Sequence, residues 1–269
     1  MKRTFIERTL VSLMATSEYA ARAEQMAIEG GLLQRIDPRV KVAGLLGLVI
    51  VVAASRQLAA IGIVFGTAIA LAMLSRLPMR RLAGWIWAPV LFFTGMIALP
   101  AIFLTPGRQV VSFAGVAITG TGLRSAAFLI SRAETAATLT GLIVLTTPWQ
   151  NVLKSLRTFR CPIVFVAILG MTYRYIFVML QTAFEMFEAR KSRTVGVFSP
   201  TERRRLAGSA AGVLLSKSIQ LSSDVHLAMQ SRGFRGEVHV IHEFRATAAD
   251  WCWAAGFSAF AATALWWSR

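Results

Sequence analysis

The chain has 269 residues, of which 55% are hydrophobic and only 16% are charged, and its mean hydropathy is +0.59. A soluble domain carries about 45–50% apolar and about 25% charged residues, so this composition excludes a soluble globular fold and places the chain in a bilayer. Lys+Arg 29 against Asp+Glu 13 give a net charge of +16, which on a soluble chain points to nucleic acid and on a membrane chain to the positive-inside rule and anionic head groups. Cys161 and Cys252 make no disulfide scaffold and no CxxC spacing, and three histidines leave little for metal chemistry.

Residues 4–29 read as an amphipathic helix ended by Gly30-Gly31. Lys2 and Arg3 resemble the start of a signal peptide, but Glu7, Arg8, Glu18, Arg22 and Glu24 break any apolar run behind them, so no cleaved leader is expected. Uncharged windows then locate the spans: 42–55 and 57–75 on either side of Arg56, 82–107, about 126–147 with Arg132 and Glu134 inside it, and 251–268. A crossing needs about 20 residues. The first window is short and is expected to reach the head groups by snorkelling of Arg39 and Lys41. Gly62-x3-Gly66 would allow close helix packing. No stretch alternates with period two, so a β-barrel is not expected.

Basic residues set the topology. Lys2, Arg3, Arg8, Arg22, Arg35, Arg39 and Lys41 precede the first span; the following loops hold Arg56, then Arg76, Arg80 and Arg81, then Arg108 and Arg124, then Lys154, Arg157 and Arg160. Rich and poor segments alternate, which places the N-terminus in the cytoplasm. The nucleic-acid reading fails because the cations track these boundaries.

The region 148–247 breaks the pattern. Residues 162–184 are apolar enough to span, yet Arg157 and Arg160 precede them while Arg190, Lys191, Arg193 and Arg203–Arg205 follow. Both flanks read as cytoplasmic, so the expectation is a long helix running along the inner membrane face. Tyr173, Phe177, Leu180, Phe184 and Phe187 form its apolar stripe at steps of four and three, opposite Arg174, Gln181, Glu185 and Glu188. Ser199-Pro200 resets the chain, and Thr201 and Glu202 read as cap and first-turn acid of a second helix over about 201–231. Its apolar side carries Leu206, Ala210, Val213, Leu214, Leu221, Val225 and Met229, with Lys217 awkwardly among them, and Gly233 suits a left-handed C-cap. Each helix thus ends in a short basic segment, Ser192-Arg193-Thr194 and Ser231-Arg232-Gly233. The expected fold is an all-α membrane protein with about five transmembrane helices plus two long amphipathic helices on the cytoplasmic side. It divides into a four-span region at 1–147, a cytoplasmic helical region at 148–247 and a final span at 248–269.

At these residues the chain resembles the transmembrane T subunit of energy-coupling-factor (ECF) transporters, and within them the cobalt-type CbiQ family. The matching stretches are GLLQRIDPRVK at 31–41, RYIFVMLQTAFEMFEARKSRT at 174–194 and LSSDVHLAMQSRGFRGE at 221–237. The family pattern is an Ala-Arg-Gly-like tripeptide at the end of each of two long coupling helices. Met229, Arg232, Gly233, Phe234 and Gly236 keep the second match; in the first, Ser192 and Thr194 replace Ala and Gly, and Arg190 stands as an alternative to Arg193. The resemblance implies a coupling subunit of a multi-pass importer in the bacterial inner membrane. It would join two cytosolic ABC-type ATPases, which bind the ATP and Mg, to a substrate-binding membrane S subunit of cobalt or nickel type. On this reading Arg193 and Arg232, with Ser192, Thr194, Ser231 and Gly233, meet the ATPases, and Phe177, Leu180 and Phe184 meet the membrane partner. This chain would bind no cofactor and no metal of its own.

Other features read more plainly. Arg203–Arg205 are positive-inside anchors, and His226 packs or hydrogen-bonds mid-helix. His239, His242 and Glu243 lack the HExxH order of a zinc helix. Arg132 and Glu134 should face protein or water, either in structural pairing or along a transport path. That path is the basis of the alternative reading, a self-contained permease or channel. No P-loop GxxxxGK[ST] and no GxSxG elbow is present, so no ATP hydrolysis or other enzyme activity is expected of this chain.

Overall fold

The computed structural model describes residues 7, 9–15, 18, 25, 30–104, 109–113, 116–193, 199–234 and 248–268, with backbone only at 81 and 101–119. The protein is an all-α membrane protein. Its helices are α1 (Leu32–Arg35), α2 (Pro38–Ala54), α3 (Leu58–Leu74), α4 (Met79–Leu82), a π-helical turn (Ala83–Trp87) that continues into α5 (Ala88–Leu104), α6 (Gly120–Thr146), α7 (Trp149–Thr158), α8 (Ile163–Arg193), α9 (Pro200–Ser231) and α10 (Ala248–Ser268). One antiparallel hairpin, β1 (Gln109–Phe113) with β2 (Val116–Thr119), joins α5 to α6. No period-two signal announces it, because apolar residues fall on both faces of such short strands. Residues 7, 9–15, 18 and 25 of the expected N-terminal helix are helical; its remaining residues lie outside the described ones.

The chain forms two compact units: residues 24–155 with 244–269, and residues 1–23 with 156–243. The first is a bundle around α6, which packs against α2, α3 and α5, while α10 lies on α2. Leu45, Leu48, Val52, Ile61, Val64, Leu139 and Leu142 fill its core. An added Cβ at Gly44 would sit 2.6 Å from the Phe257 ring, so the close approach of α2 and α10 requires glycine there. Trp87 donates from Nε1 to Thr138 Oγ1 at 3.0 Å and tilts against Phe65 at 5.8 Å, which fixes the π-helical turn to α6. Gly62 and Gly66 behave otherwise than expected. A Cβ at either would meet nothing within 4 Å, so the small-residue face joins no helix among the described residues.

Each expected span has its helix: α2, α3, the π turn with α5, α6, and α10. By length and composition alone, three helices among the described residues can cross a membrane, Ala83–Pro100, Gly120–Thr146 and Ile163–Arg193, and Leu58–Leu74 is a shorter apolar helix. The third is α8, for which the flanking charges predict a course along the inner face. At 17 residues, α2 and α3 are about 25 Å long, a little under the hydrocarbon thickness of about 30 Å. On α10, exposed Trp251 and the exposed pair Trp266 and Trp267 lie near opposite ends, about 24 Å apart along the helix, the arrangement of aromatic belts at two membrane interfaces.

Local signals explain the helix ends. Asp37 caps α2 by accepting from Arg39 N at 2.8 Å, with Pro38 at the first helical position. The cap of α9 is Ser199 rather than Thr201. Its hydroxyl accepts from Glu202 N, Glu202 accepts in return from Ser199 N at 2.7 Å, and Pro200 follows as the first helical residue. Three helices end in the same paired turn of backbone bonds: Leu77 N to Ala72 O with Arg76 N to Met73 O, Cys161 N to Leu156 O with Arg160 N to Arg157 O, and Phe234 N to Met229 O with Gly233 N to Gln230 O. The left-handed residue is Gly233 (φ 80°) in the last, as expected, but an arginine in the other two, Arg76 (φ 54°) and Arg160 (φ 62°).

Candidate functional site

In the second unit, α8 and α9 run antiparallel. Phe187 packs with Leu206, Ala210 and Leu10 near one end, with Phe184, Leu13 and Met186 against them. Beyond that cluster the helices leave an apolar groove of about 870 Å³. The α8 wall presents Ile168, Met171, Tyr175, Met179, Leu180 and Ala183; the α9 wall presents Leu214, Leu221, Val225, His226 and Met229, and Phe234 lies at its far end. These positions recur at three and four residues, so each wall is one face of its helix. His226 lies 3.1 Å from Gln230 Nε2. Lys217 is exposed off the groove, which removes its apparent conflict with the apolar stripe.

The expected contact residues divide. Leu180 lines the groove. Phe184 is packed in the cluster beside Phe187. Phe177 is not in the lining and meets Tyr173 edge-on, with ring centroids 5.1 Å apart. The groove face is therefore rotated from the expected stripe and shares only Leu180 with it.

The two helix ends match in detail. Ser192 Oγ donates to Ala189 O at 2.8 Å, and Ser231 Oγ donates to Ala228 O at 3.0 Å. Each serine thus ties back three residues and leaves the following arginine at the helix end. Arg193 and Arg232 are exposed, and among the described residues neither guanidinium has a hydrogen-bond or ion-pair partner. Arg190 differs, since it is engaged within the chain. Neighbouring Lys191 lies 3.5 Å from Glu7 Oε1. Because the helices are antiparallel, Arg193 and Arg232 lie at opposite ends of the pair. Gly233 takes the left-handed turn after Arg232, and Thr194 lies outside the described residues.

The stretch 31–41 builds a second polar arrangement, inside the bundle. Lys41 is 1% exposed, and its Nζ donates to Leu33 O at 3.0 Å and to Thr146 O at 2.8 Å. It does not snorkel, because its ammonium is held by the last carbonyl of α6 and by a carbonyl of α1 instead. Asp250, 6% exposed, accepts from Asp37 N at 2.9 Å, and Leu33 N donates to Ser75 Oγ at 3.3 Å. At the other end of α2, Arg132 Nη2 donates from the middle of α6 to Ser55 O at 2.7 Å, where Ser55 is the C-cap of α2. Thus α2 is clamped to α6 at both of its own ends, each time by a cation from one helix on the C-terminal carbonyl of the other, where the helix dipole favours positive charge. Glu134 takes no part. It is 9% exposed, and neither carboxylate oxygen has a hydrogen-bond partner among the described residues. Arg132 is therefore paired structurally, but with a backbone carbonyl and not with its neighbour. His239, His242 and Glu243 lie outside the described residues, and among the described ones no cluster of three His, Cys, Asp or Glu could hold a metal.

The sequence pattern of the CbiQ family, described as cobalt transport protein, matches residues 30–241. The chain belongs to this family. The match takes in the 31–41 stretch, both groove walls and both arginine-bearing helix ends. Relatives agree with it. The chain is 33% identical over 219 residues to an uncharacterised protein of Methanocaldococcus jannaschii, covering 79% of this chain and 75% of that one. It is 28% identical over 159 residues to the cobalt transport protein CbiQ of Rhodobacter capsulatus, covering 57% and 64%. It is 24% identical over 215 residues to the energy-coupling factor transporter transmembrane protein EcfT of Listeria innocua, covering 76% and 81%.

Sequence reasoning missed the Lys41 centre, although a signal for it existed. A lysine in the first turn of a helix opposes the dipole, and that conflict marks a side chain held by something other than its own helix.

Proposed function

We propose that this CbiQ-family chain is the transmembrane coupling subunit of an ECF-type importer for cobalt or nickel ions. It transmits motion from two cytosolic ATPases to a substrate-binding membrane subunit. The observation that carries the reading is the matched pair of helix ends, each presenting at one end of an antiparallel pair an exposed arginine without a partner among the described residues. Arginine suits a socket on an ATPase because its planar fork holds a carboxylate by two parallel bonds while its stem packs. The guanidinium of Arg193, without a partner among the described residues, against the engaged Arg190, supports Arg193 as the first coupling residue. The groove between α8 and α9 is the surface for the membrane partner, which would explain why so large an apolar face stays open among the described residues. ATP and Mg then belong to the ATPases, and the N-terminus lies in the cytoplasm of a cell whose inner membrane holds the complex. The engagement of Arg132 with Ser55 O counts against a permease path through Arg132 and Glu134.

The test is ATPase copurification together with metal uptake in cells expressing the whole complex. Arg193→Glu and Arg232→Glu should each weaken ATPase binding about 30-fold or more, since losing a desolvated charged partner costs roughly 2–5 kcal/mol. The double variant should release the ATPases more completely than either. Arg190→Glu should have the smaller effect. Normal copurification and uptake in the double variant would defeat the reading, and metal uptake by the purified chain alone would favour a permease.

A further inference from the structure

The Lys41 centre gathers four stretches of chain that are far apart in sequence: α1 at Leu33, the end of α3 at Ser75, the end of α6 at Thr146 and the first turn of α10 at Asp250. The chain passes between its two units at 23/24, at 155/156 and at 243/244. Each crossing leads by a short run to a residue of this centre: Leu33 after the first, Thr146 before the second, Asp250 after the third. Every covalent path into the α8–α9 unit is therefore tied to one point of the bundle.

The centre is a costly way to fill this space. Taking an ammonium out of water carries a penalty, and among the described residues no carboxylate lies within ion-pair distance of Lys41. An apolar side chain of similar length would avoid that penalty but would leave Leu33 O and Thr146 O without their donor. What such a chain would lack is a hold on two carbonyls belonging to different helices. From this we infer that the centre is the stationary anchor of the coupling motion, with Lys41 and Asp250 as positioning residues. The inference rests on the coupling function proposed above. Displacement of the ends of α8 and α9 does work on a partner only when the bases of their connections stay fixed. With the anchor loosened, the same displacement is absorbed where the chain enters and leaves the bundle, and ATP hydrolysis continues without transport. Coupling of this kind needs a discrete element that both sites bias.

The experiment uses the intact complex in nanodiscs and in cells, with Lys41→Met, Asp250→Leu, and Asp250→Asn as the conservative variant that keeps the acceptor oxygen. Lys41→Met and Asp250→Leu should retain the ATPases, the membrane partner and ATP hydrolysis, while metal uptake falls about tenfold. Asp250→Asn should stay near wild type. Spin labels at exposed Val144 and Val213 should show a broader distance distribution in Lys41→Met than in wild type, a readout that needs no assumption about transport. The anchor is overturned if uptake and distribution width are unchanged in Lys41→Met, or if both loosening variants simply fail to assemble. The Arg193→Glu, Arg232→Glu double variant separates the two ideas. If it keeps its ATPases, the coupling function itself fails; if it loses them while Lys41→Met transports normally, only the anchor fails.

Discussion

The two units solve opposite problems with the same kind of helix. The bundle turns two of its cations inward: buried Lys41 and half-buried Arg132 sit on carbonyls of neighbouring helices, in a unit whose core holds Leu45, Ile61 and Leu139. The α8–α9 unit displays its cations at the ends, and a small cluster around Phe187 and Leu206 is the main contact holding its long helices together. A hydrogen-bonded cation inside a bundle fixes one arrangement, because any shift leaves a carbonyl or an ammonium unpaired at considerable cost. An open apolar groove imposes no such condition and takes its final shape from what fills it. Rigidity and openness are thus assigned to different parts of one chain by where polar groups are satisfied.

The strongest challenge to this contrast is a charge placed in the groove. Leu180→Asp should reduce copurification of the membrane partner by about 100-fold or more, because an unpaired carboxylate in an apolar contact costs several kcal/mol. Phe177→Asp, off the groove lining, should do markedly less. Equal losses would mean that the partner covers the Tyr173–Phe177 face instead. A smaller effect separates the cations. Arg132→Met removes a charged hydrogen bond to a helix end and should lower bundle stability by about 2 kcal/mol, read as thermal unfolding of the detergent-solubilised chain. Lys217→Met, on the exposed side of α9, should change it by no more than about 0.5 kcal/mol. The most local effect is at the start of α9. Ser199→Ala removes one half of the capping box and should cost about 1 kcal/mol, seen as faster hydrogen exchange in the first turn alone. The backbone N–H and hydroxyl of Ser199 hold the Glu202 carboxyl below the usual carboxylate range. Its contribution is therefore fully present above the pKa of a free glutamate and is lost as pH falls through the lower folded value. Protection of that turn should persist to mildly acidic pH and disappear below it.

Much of the architecture was legible from the sequence because it rests on local signals. Pro200 and Glu202 announced α9 within a residue or two, Gly233 announced its end, and uncharged windows located the span helices. What was not legible depends on distant partners. Lys41 and Thr146 are separated by 105 residues, so a single sequence can mark Lys41 as a lysine at odds with its helix dipole but cannot name what holds it. The groove face escaped for another reason. From Ile163 to Leu180 nearly every side of α8 is apolar, and periodicity cannot choose among faces until Gln181, Glu185 and Glu188 supply contrast. Arg132 was expected to face protein or water, and nothing in its neighbourhood could reveal that its acceptor is a carbonyl at the end of α2.

The left-handed arginines at positions 76 and 160 carry one more consequence. A side chain in that conformation strains the backbone by about 1–2 kcal/mol, and glycine at either position would remove the strain. On the topology proposed above, both arginines belong to segments kept on the inner side, and that choice is made while the nascent chain is being threaded into the bilayer, when helix ends do not yet exist. Arg76→Gly and Arg160→Gly should thus give a more relaxed molecule and a less reliable birth, with more chains inserted the wrong way round. The finished protein keeps, in two twisted residues, the record of a decision taken during its synthesis.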